Sequence, residues 1–398
     1  MLTEKVRKIP IAKTFFDDTD FESIIKPLKL GWVVQGQYVK QFENKFAEFI
    51  KSPFAIAVSS CSTALHMTLA ALGIKAGDEV IVPALTWIAT ANAVEHLGGK
   101  SVFCDINLDS YNIDFNIIEE KISPRTKAII PVHLFGLPAA MDEIVAISQK
   151  YNLYIVEDAA CGFGAYYKNK HVGNFGDIGC FSFHPRKAIT TGEGGMITTS
   201  DEMLDKLLRA LRNHGAAISD FERHNSKEAF LLSEYKYLGY NYRMTDIQAA
   251  LGVSQIEKAH WIQKQRLEKA NYYDKLLADV DFLKTPRSPD FMIHGYQSYV
   301  CLFQPEPVTS ANLEKLNRMR NKLMVALEEK GISTRQGTHA VTLQDYYRKK
   351  YSIQAKDYPN ANIADKLTIA LPIYPQLTEE DQQYVVENLK RGLEGSHD

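Results

Sequence analysis

A chain of 398 residues is too long for one small core, and its formal net charge of −2 gives no electrostatic basis for binding nucleic acid or an anionic membrane. Hydrophobic residues at 45% and charged residues at 24% are ordinary for a soluble globular protein. No apolar run is long enough to span a bilayer, and the segment 1–8 lacks the apolar core of a secretory signal. The five cysteines are widely spaced and include no Cys-x-x-Cys pair, so neither a disulfide framework nor a zinc site is indicated. These features lead us to expect a cytoplasmic protein with free thiols and no bound metal.

Residues 1 to about 30 read as an arm and a first helix. Gly31-Trp-Val-Val-Gln-Gly-Gln then turns into a helix over Tyr38–Ile50. Small residues at Val58-Ser-Ser-Cys-Ser-Thr open another helix, with Gly73 as its stop. Short apolar strands then alternate with helices. Strands are expected at Glu79–Val82, Ser101–Asp105, Lys127–Val132, Leu153–Val156, Cys180–Phe183 and Met196–Thr199. Helices are expected at Thr90–Leu97, Phe115–Lys121, Met141–Tyr151 and Asp201–Asn213. That alternation predicts an α/β fold with a mostly parallel central sheet covered on both faces.

The polar segment 214–236 reads as a long functional or interface loop. A long helical pattern follows Asp246 and runs, with a bend, towards Leu277. We place a domain boundary within it, giving an N-terminal arm and large domain at 1–255 and a smaller C-terminal α/β domain at 256–398. Strands near Tyr299–Phe303 and Thr368–Ala370 and helices at Asn312–Lys330 and Glu379–Leu393 make up the latter.

The stretch Phe181–Gly195 concentrates the chemistry. An apolar strand leads to Lys187, and a glycine-rich turn then leads into a second strand. A lysine fixed between buried strands is expected to have its ammonium penalised and its pKa lowered, as a Schiff-base lysine requires. In open α/β sheets ligands gather at the carboxyl ends of strands. Asp158, Lys187, the Ser62 turn and the loop after Pro83 all fall there. Pyridoxal phosphate (PLP) needs such a lysine, a carboxylate for its ring nitrogen, a plate over the ring and a helix N-terminus for its phosphate. Lys187, Asp158, Trp87 and the Ser62–Thr63 helix start supply one of each, and Ser182 could add a hydroxyl to the phosphate.

Three motifs extend this reading: Phe-Ser-Phe-His-x-x-Lys with Thr-Gly-Glu-Gly-Gly, Glu-Asp-Ala-Ala, and Gly-Tyr-Asn-Tyr-Arg-Met-Thr-Asp. Together, and in this order, they resemble the DegT/StrS-type sugar aminotransferases, a fold-type-I PLP family, over nearly the whole chain. The resemblance implies that Lys187 and Asp158 are catalytic and that Trp87 stacks on the cofactor, with Ser62, Thr63 and Ser182 on the phosphate. It also implies that Asn241, and less directly Arg243, reaches the neighbouring subunit's site in a homodimer with shared active sites. Trp32, His184 and His339 would lie towards the sugar; without the resemblance the two histidines read as structural and surface residues.

The implied activity is ping-pong transfer of an amino group from L-glutamate to a keto sugar, expected to be a nucleotide-linked deoxy sugar. Two departures stand out. Relatives often carry glutamine or histidine where Cys161 follows Glu-Asp-Ala-Ala, and their Ser-Gly-Thr turn reads Ser60-Cys61-Ser62 here. Family members that replace the lysine by histidine are sugar dehydratases, and the presence of Lys187 argues against that chemistry. A non-catalytic regulatory protein with the same fold would be expected to lose Lys187 or Asp158, and both are retained.

Overall fold

The computed structural model describes residues 7–216 and 234–394. Among these the central sheet contains β1 (Phe54–Val58), β2 (Glu79–Pro83), β3 (Lys100–Cys104), β4 (Thr126–Ile129) and β5 (Tyr154–Asp158). After the short hairpin β6 (Tyr166–Tyr167) and β7 (Lys170–His171), the sheet is completed by β8 (Ile178–Ser182) and β9 (Gly195–Thr199). The order is β1-β9-β8-β5-β4-β2-β3, and only β9 runs against its neighbours. The expected mostly parallel α/β sheet is therefore present.

Helices α1 (Asp18–Leu30), α2 (Gln37–Ile50), α3 (Cys61–Ala71), α4 (Ala89–His96), α5 (Met141–Tyr151) and α6 (Glu202–Arg212) surround it. Gly73, at φ 78°, follows α3 as its stop. Helices α7 (Asp246–Glu257) and α8 (Ala259–Leu276) form the long bent rod, broken at Lys258, whose amine pairs with Asp17 at 2.9 Å and Asp20 at 2.8 Å.

Beyond α8, β10 (Leu283–Lys284), β12 (Tyr299–Phe303) and β13 (Thr368–Leu371) form a second sheet, while β11 (Met292–Ile293) joins the β6–β7 hairpin. Helices α9 (Leu313–Glu329), α10 (Asp345–Tyr351), α11 (Pro359–Leu367) and α12 (Glu379–Glu394) complete the described chain. The second core draws on both ends of the chain. Ile9 packs with Tyr273, Tyr299, Leu323 and Ile369, and its backbone bridges to Ile332.

Alternation along β8 determines what each residue meets. Phe181 and Phe183 lie under α2, with ring centroids 5.0 Å from Phe46 and 4.9 Å from Phe42. Cys180 points the other way, towards Thr68 of α3 at 3.6 Å. β5 is similarly two-sided: Glu157 and Asp158, adjacent in sequence, enter different environments.

One helix expectation fails. Residues 115–121 form two short 3₁₀ turns, because the Asp114 carboxylate accepts the Asn116 N–H and starts a local turn. The 214–236 loop lies mostly outside the described residues. All five cysteines are free, in agreement with expectation. No described helix is long and apolar enough to cross a membrane.

Candidate active site

Asp158 is the last residue of β5 and is 4% exposed. Its Oδ2 accepts a hydrogen bond from the Thr90 hydroxyl at 2.7 Å, and its Oδ1 accepts one from the Ala160 N–H at 3.1 Å. The Thr86 hydroxyl stands 3.0 Å from that of Thr90. Burial raises the Asp158 pKa above the ordinary value; the Thr90 and Ala160 bonds and the nearby Lys187 act against that rise. A buried carboxylate oriented by two donors is suited to receive a cationic N–H.

Lys187 is half-buried in the turn after β8, and its Nζ lies 3.2 Å from the Cys161 sulfur. Here the structure corrects the sequence reading. Burial does disfavour the ammonium, but Cys161, Cys61 and Asp158 outweigh it and hold the amine above the usual lysine value. The sequence argument counted desolvation and could not count these neighbours. A lysine that must act as a neutral amine therefore needs the charge balance around it to change when the cofactor is engaged.

The phosphate end is built at the start of α3. Ser60 caps the helix and is reciprocally bonded to Thr63: Thr63 N–H reaches Ser60 Oγ at 3.1 Å, and Ser60 N–H reaches Thr63 Oγ1 at 3.0 Å. The Thr63 hydroxyl is thus committed to the cap, while Ser62 is exposed. The N–H groups of Cys61 and Ser62 have no acceptor within the helix, and with the helix dipole they favour an anion.

Gly195, which opens β9, packs directly against this turn. A Cβ there would come within 2.5 Å of the Ser60 carbonyl carbon and oxygen and 2.7 Å of the Cys61 nitrogen. Ser182 ends β8 opposite Gly195 in the sheet register and is half-buried. Among the described residues its hydroxyl accepts a long 3.4 Å bond from the His184 N–H.

Trp87 is 63% exposed, and its ring centroid lies 6.5 Å from that of His339, which is also exposed. The His339 carbonyl accepts the Thr86 N–H at 3.3 Å, so the 337–341 loop lies along the segment carrying Trp87 and Thr90. His184 is half-buried, and its Nδ1 accepts the Arg186 N–H at 3.2 Å. Burial keeps its pKa below the ordinary histidine value.

The 241–243 segment lies along the turn that opens α3, where the Tyr242 carbonyl accepts the Ser59 N–H at 2.9 Å. Trp32 is half-buried and donates its indole N–H to the Gln35 carbonyl at 3.2 Å. Asn241 is exposed; Arg243 donates to the Asn213 side chain at 2.8 Å and bridges β1 at Val58. Tyr240 and Tyr242, alternating with these residues, stack on one another at 4.9 Å and against His66 of α3.

Sequence reasoning missed two supporting residues. Thr90 was legible only as a hydroxyl four residues after Thr86, a spacing that places both on one side of a helical turn. Asp246 accepts the N–H groups of Gly36 at 2.8 Å, Val39 at 3.0 Å and Tyr38 at 3.3 Å, and so caps α2 from across the chain. No metal-binding cluster occurs among the described residues.

The donor set fits PLP. It offers an amine, a buried oriented carboxylate, and unpartnered helix N–H groups where a glycine leaves room for close backbone approach. The chain's relatives are consistent with that fit. The model of the DegT/DnrJ/EryC1/StrS aminotransferase family matches residues 16–390. The spore coat polysaccharide biosynthesis protein SpsC of Bacillus subtilis is 35% identical over 397 residues, covering 100% of both chains.

Among solved structures, PseC of Helicobacter pylori is an aminotransferase involved in the biosynthesis of pseudoaminic acid. It superposes with a TM-score of 0.88 at 26% identity, over 98% of this chain and 100% of its own. Spr1654 of Streptococcus pneumoniae, in its PLP form, gives 0.89 at 25% identity over 98% and 100%. Fold and site together define a PLP-dependent aminotransferase of fold type I. The chain belongs to the DegT/DnrJ/EryC1/StrS aminotransferase family, as the three sequence motifs implied.

Proposed function

We propose that this enzyme transfers an amino group from L-glutamate to a nucleotide-linked keto sugar, in two half-reactions at one site. When bound, PLP would supply the electron sink. Lys187 would hold it through Nζ and, as a neutral amine, would move the proton at the substrate carbon. Asp158, aimed by Thr90, keeps the ring nitrogen protonated. Ser62, Ser182 and the first N–H groups of α3 hold the phosphate, with Thr63 stabilising that turn.

Trp87 covers the ring face, and His339, His184 and Trp32 are assigned to the sugar side. Asn241, with Arg243, completes the site of a second copy, so the working unit is a homodimer in the cytoplasm. The single observation behind this reading is geometric: Asp158, buried and oriented by Thr90 and Ala160, ends β5 beside β8, and Lys187 stands in the turn that follows β8. The names of SpsC and PseC, both tied to sugar products, support a sugar acceptor.

The test is a panel of keto nucleotide sugars incubated with L-glutamate, with 2-oxoglutarate measured against amino-sugar product. One-to-one formation is expected with at least one sugar. Product without 2-oxoglutarate would exclude glutamate as donor, and dehydrated sugar alone would indicate a dehydratase. In parallel, Lys187→Ala should lose the yellow absorbance of bound PLP together with turnover.

A further inference from the structure

The position after Glu-Asp-Ala-Ala holds a cysteine here, and that cysteine differs from the other four. Cys61, Cys104, Cys180 and Cys301 are buried within apolar clusters; Cys161 is half-buried and belongs to none of them. Its sulfur lies 3.2 Å from Lys187 Nζ and, among the described residues, is that amine's hydrogen-bond partner. Asp158, the nearby carboxylate, is already engaged by Thr90 and Ala160.

We infer that Cys161 is a positioning residue: it holds the Lys187 amine while that amine is not bonded to the cofactor, and keeps it from pairing with Asp158. The inference rests on Lys187 being the cofactor lysine. The chemistry follows from the partner types. An amine and a carboxylate left together in a half-buried cleft form a charge-assisted pair, which would occupy both groups that PLP needs. Sulfur is a weaker acceptor. It keeps Nζ within reach of the site yet releases it readily.

The test uses cofactor-stripped enzyme with Cys161→Ala, Cys161→Ser and Lys187→Ala, following PLP capture by the rise of its bound absorbance. Cys161→Ala should slow capture about tenfold, the scale of one lost hydrogen bond to a charged group. Cys161→Ser, whose oxygen can accept the same bond, should restore most of the rate. A second readout is independent of the cofactor. Alkylation of Cys161 by iodoacetamide, quantified by peptide mass spectrometry, should slow about tenfold in Lys187→Ala, which removes the amine that contacts the sulfur at 3.2 Å. Wild-type capture in Cys161→Ala, or unchanged alkylation in Lys187→Ala, overturns the inference. Persistence of bound absorbance in Lys187→Ala overturns instead the assignment of Lys187.

Discussion

The Thr90 hydroxyl sits 2.7 Å from Asp158 Oδ2, joining the start of α4 to the end of β5 across 68 residues of sequence. This bond does more than satisfy a buried oxygen, because Ala160 already fixes the other one and the two donors together set the carboxylate plane. Thr90→Val keeps the shape and removes the donor. A hydrogen bond to a charged group contributes about 1.5–3 kcal/mol. PLP affinity and kcat should therefore each fall at least about tenfold, with Thr90→Ser near wild type. Equal absorbance titrations for Thr90→Val and wild type would show that Ala160 alone orients the carboxylate.

Gly195→Ala addresses the phosphate end. The added Cβ would lie 2.5 Å from the Ser60 carbonyl, a contact with backbone atoms on both sides and no flexible side chain to yield. Either β9 or the start of α3 must move, at about 1–3 kcal/mol for overpacking. The expected outcome is a lower thermal midpoint and PLP binding weakened about tenfold, read by fluorescence titration. A variant that loses stability but binds PLP normally would separate α3 from the phosphate site.

The strands that carry the site were legible because each is a short apolar run bounded by turn residues, and Asp158 and Lys187 sit where two such runs end. What surrounds them was not legible. The pKa direction of Lys187 depends on Cys161, 26 residues earlier, and Asp246 caps a helix start 210 residues away. Thr63 read as a phosphate contact, but local bonding commits its hydroxyl to Ser60, and sequence alone cannot rank those acceptors. Elements such as β6, β7 and α10 are too short for hydrophobic periodicity to reveal.

Asp246→Ala should destabilise the Trp32 turn in particular. The carboxylate receives three amides at the start of α2, where Gly36 offers no side chain to cap the helix itself. Loss of a helix cap costs about 1–2 kcal/mol. If Trp32 contacts the sugar, KM for the sugar should rise while KM for the amino donor stays unchanged. Steady-state kinetics varying each substrate in turn checks this; equal shifts in both would place Trp32 away from the sugar.

Glu157, next to Asp158 but on a different face of β5, gives the clearest pH dependence. It is fully buried and accepts His133 Nε2–H at 2.9 Å, along with the N–H groups of Gly173, Phe175 and Gly176 at 2.7, 2.6 and 2.8 Å. The tautomer follows from the other ring nitrogen, since His133 Nδ1 accepts the Ala139 N–H. Burial pushes the Glu157 pKa up, but His133 and the loop amides outweigh it and bring the net value below the ordinary 4.5. A depressed acid contributes stability that is fully present above its unfolded-state pKa and is lost as pH falls through the folded-state value. Stability measured by urea denaturation should therefore decline on acidification below about 4.5. Glu157→Gln should cost about 1–3 kcal/mol at neutral pH, because its NH₂ would face a loop N–H donor and leave it without an acceptor. The variant should also show a shallower decline in acid. An equally steep decline would assign the acid sensitivity to another buried carboxylate, with Glu43, held by Arg212 at 2.5 Å and Arg209 at 2.7 Å, the next to substitute.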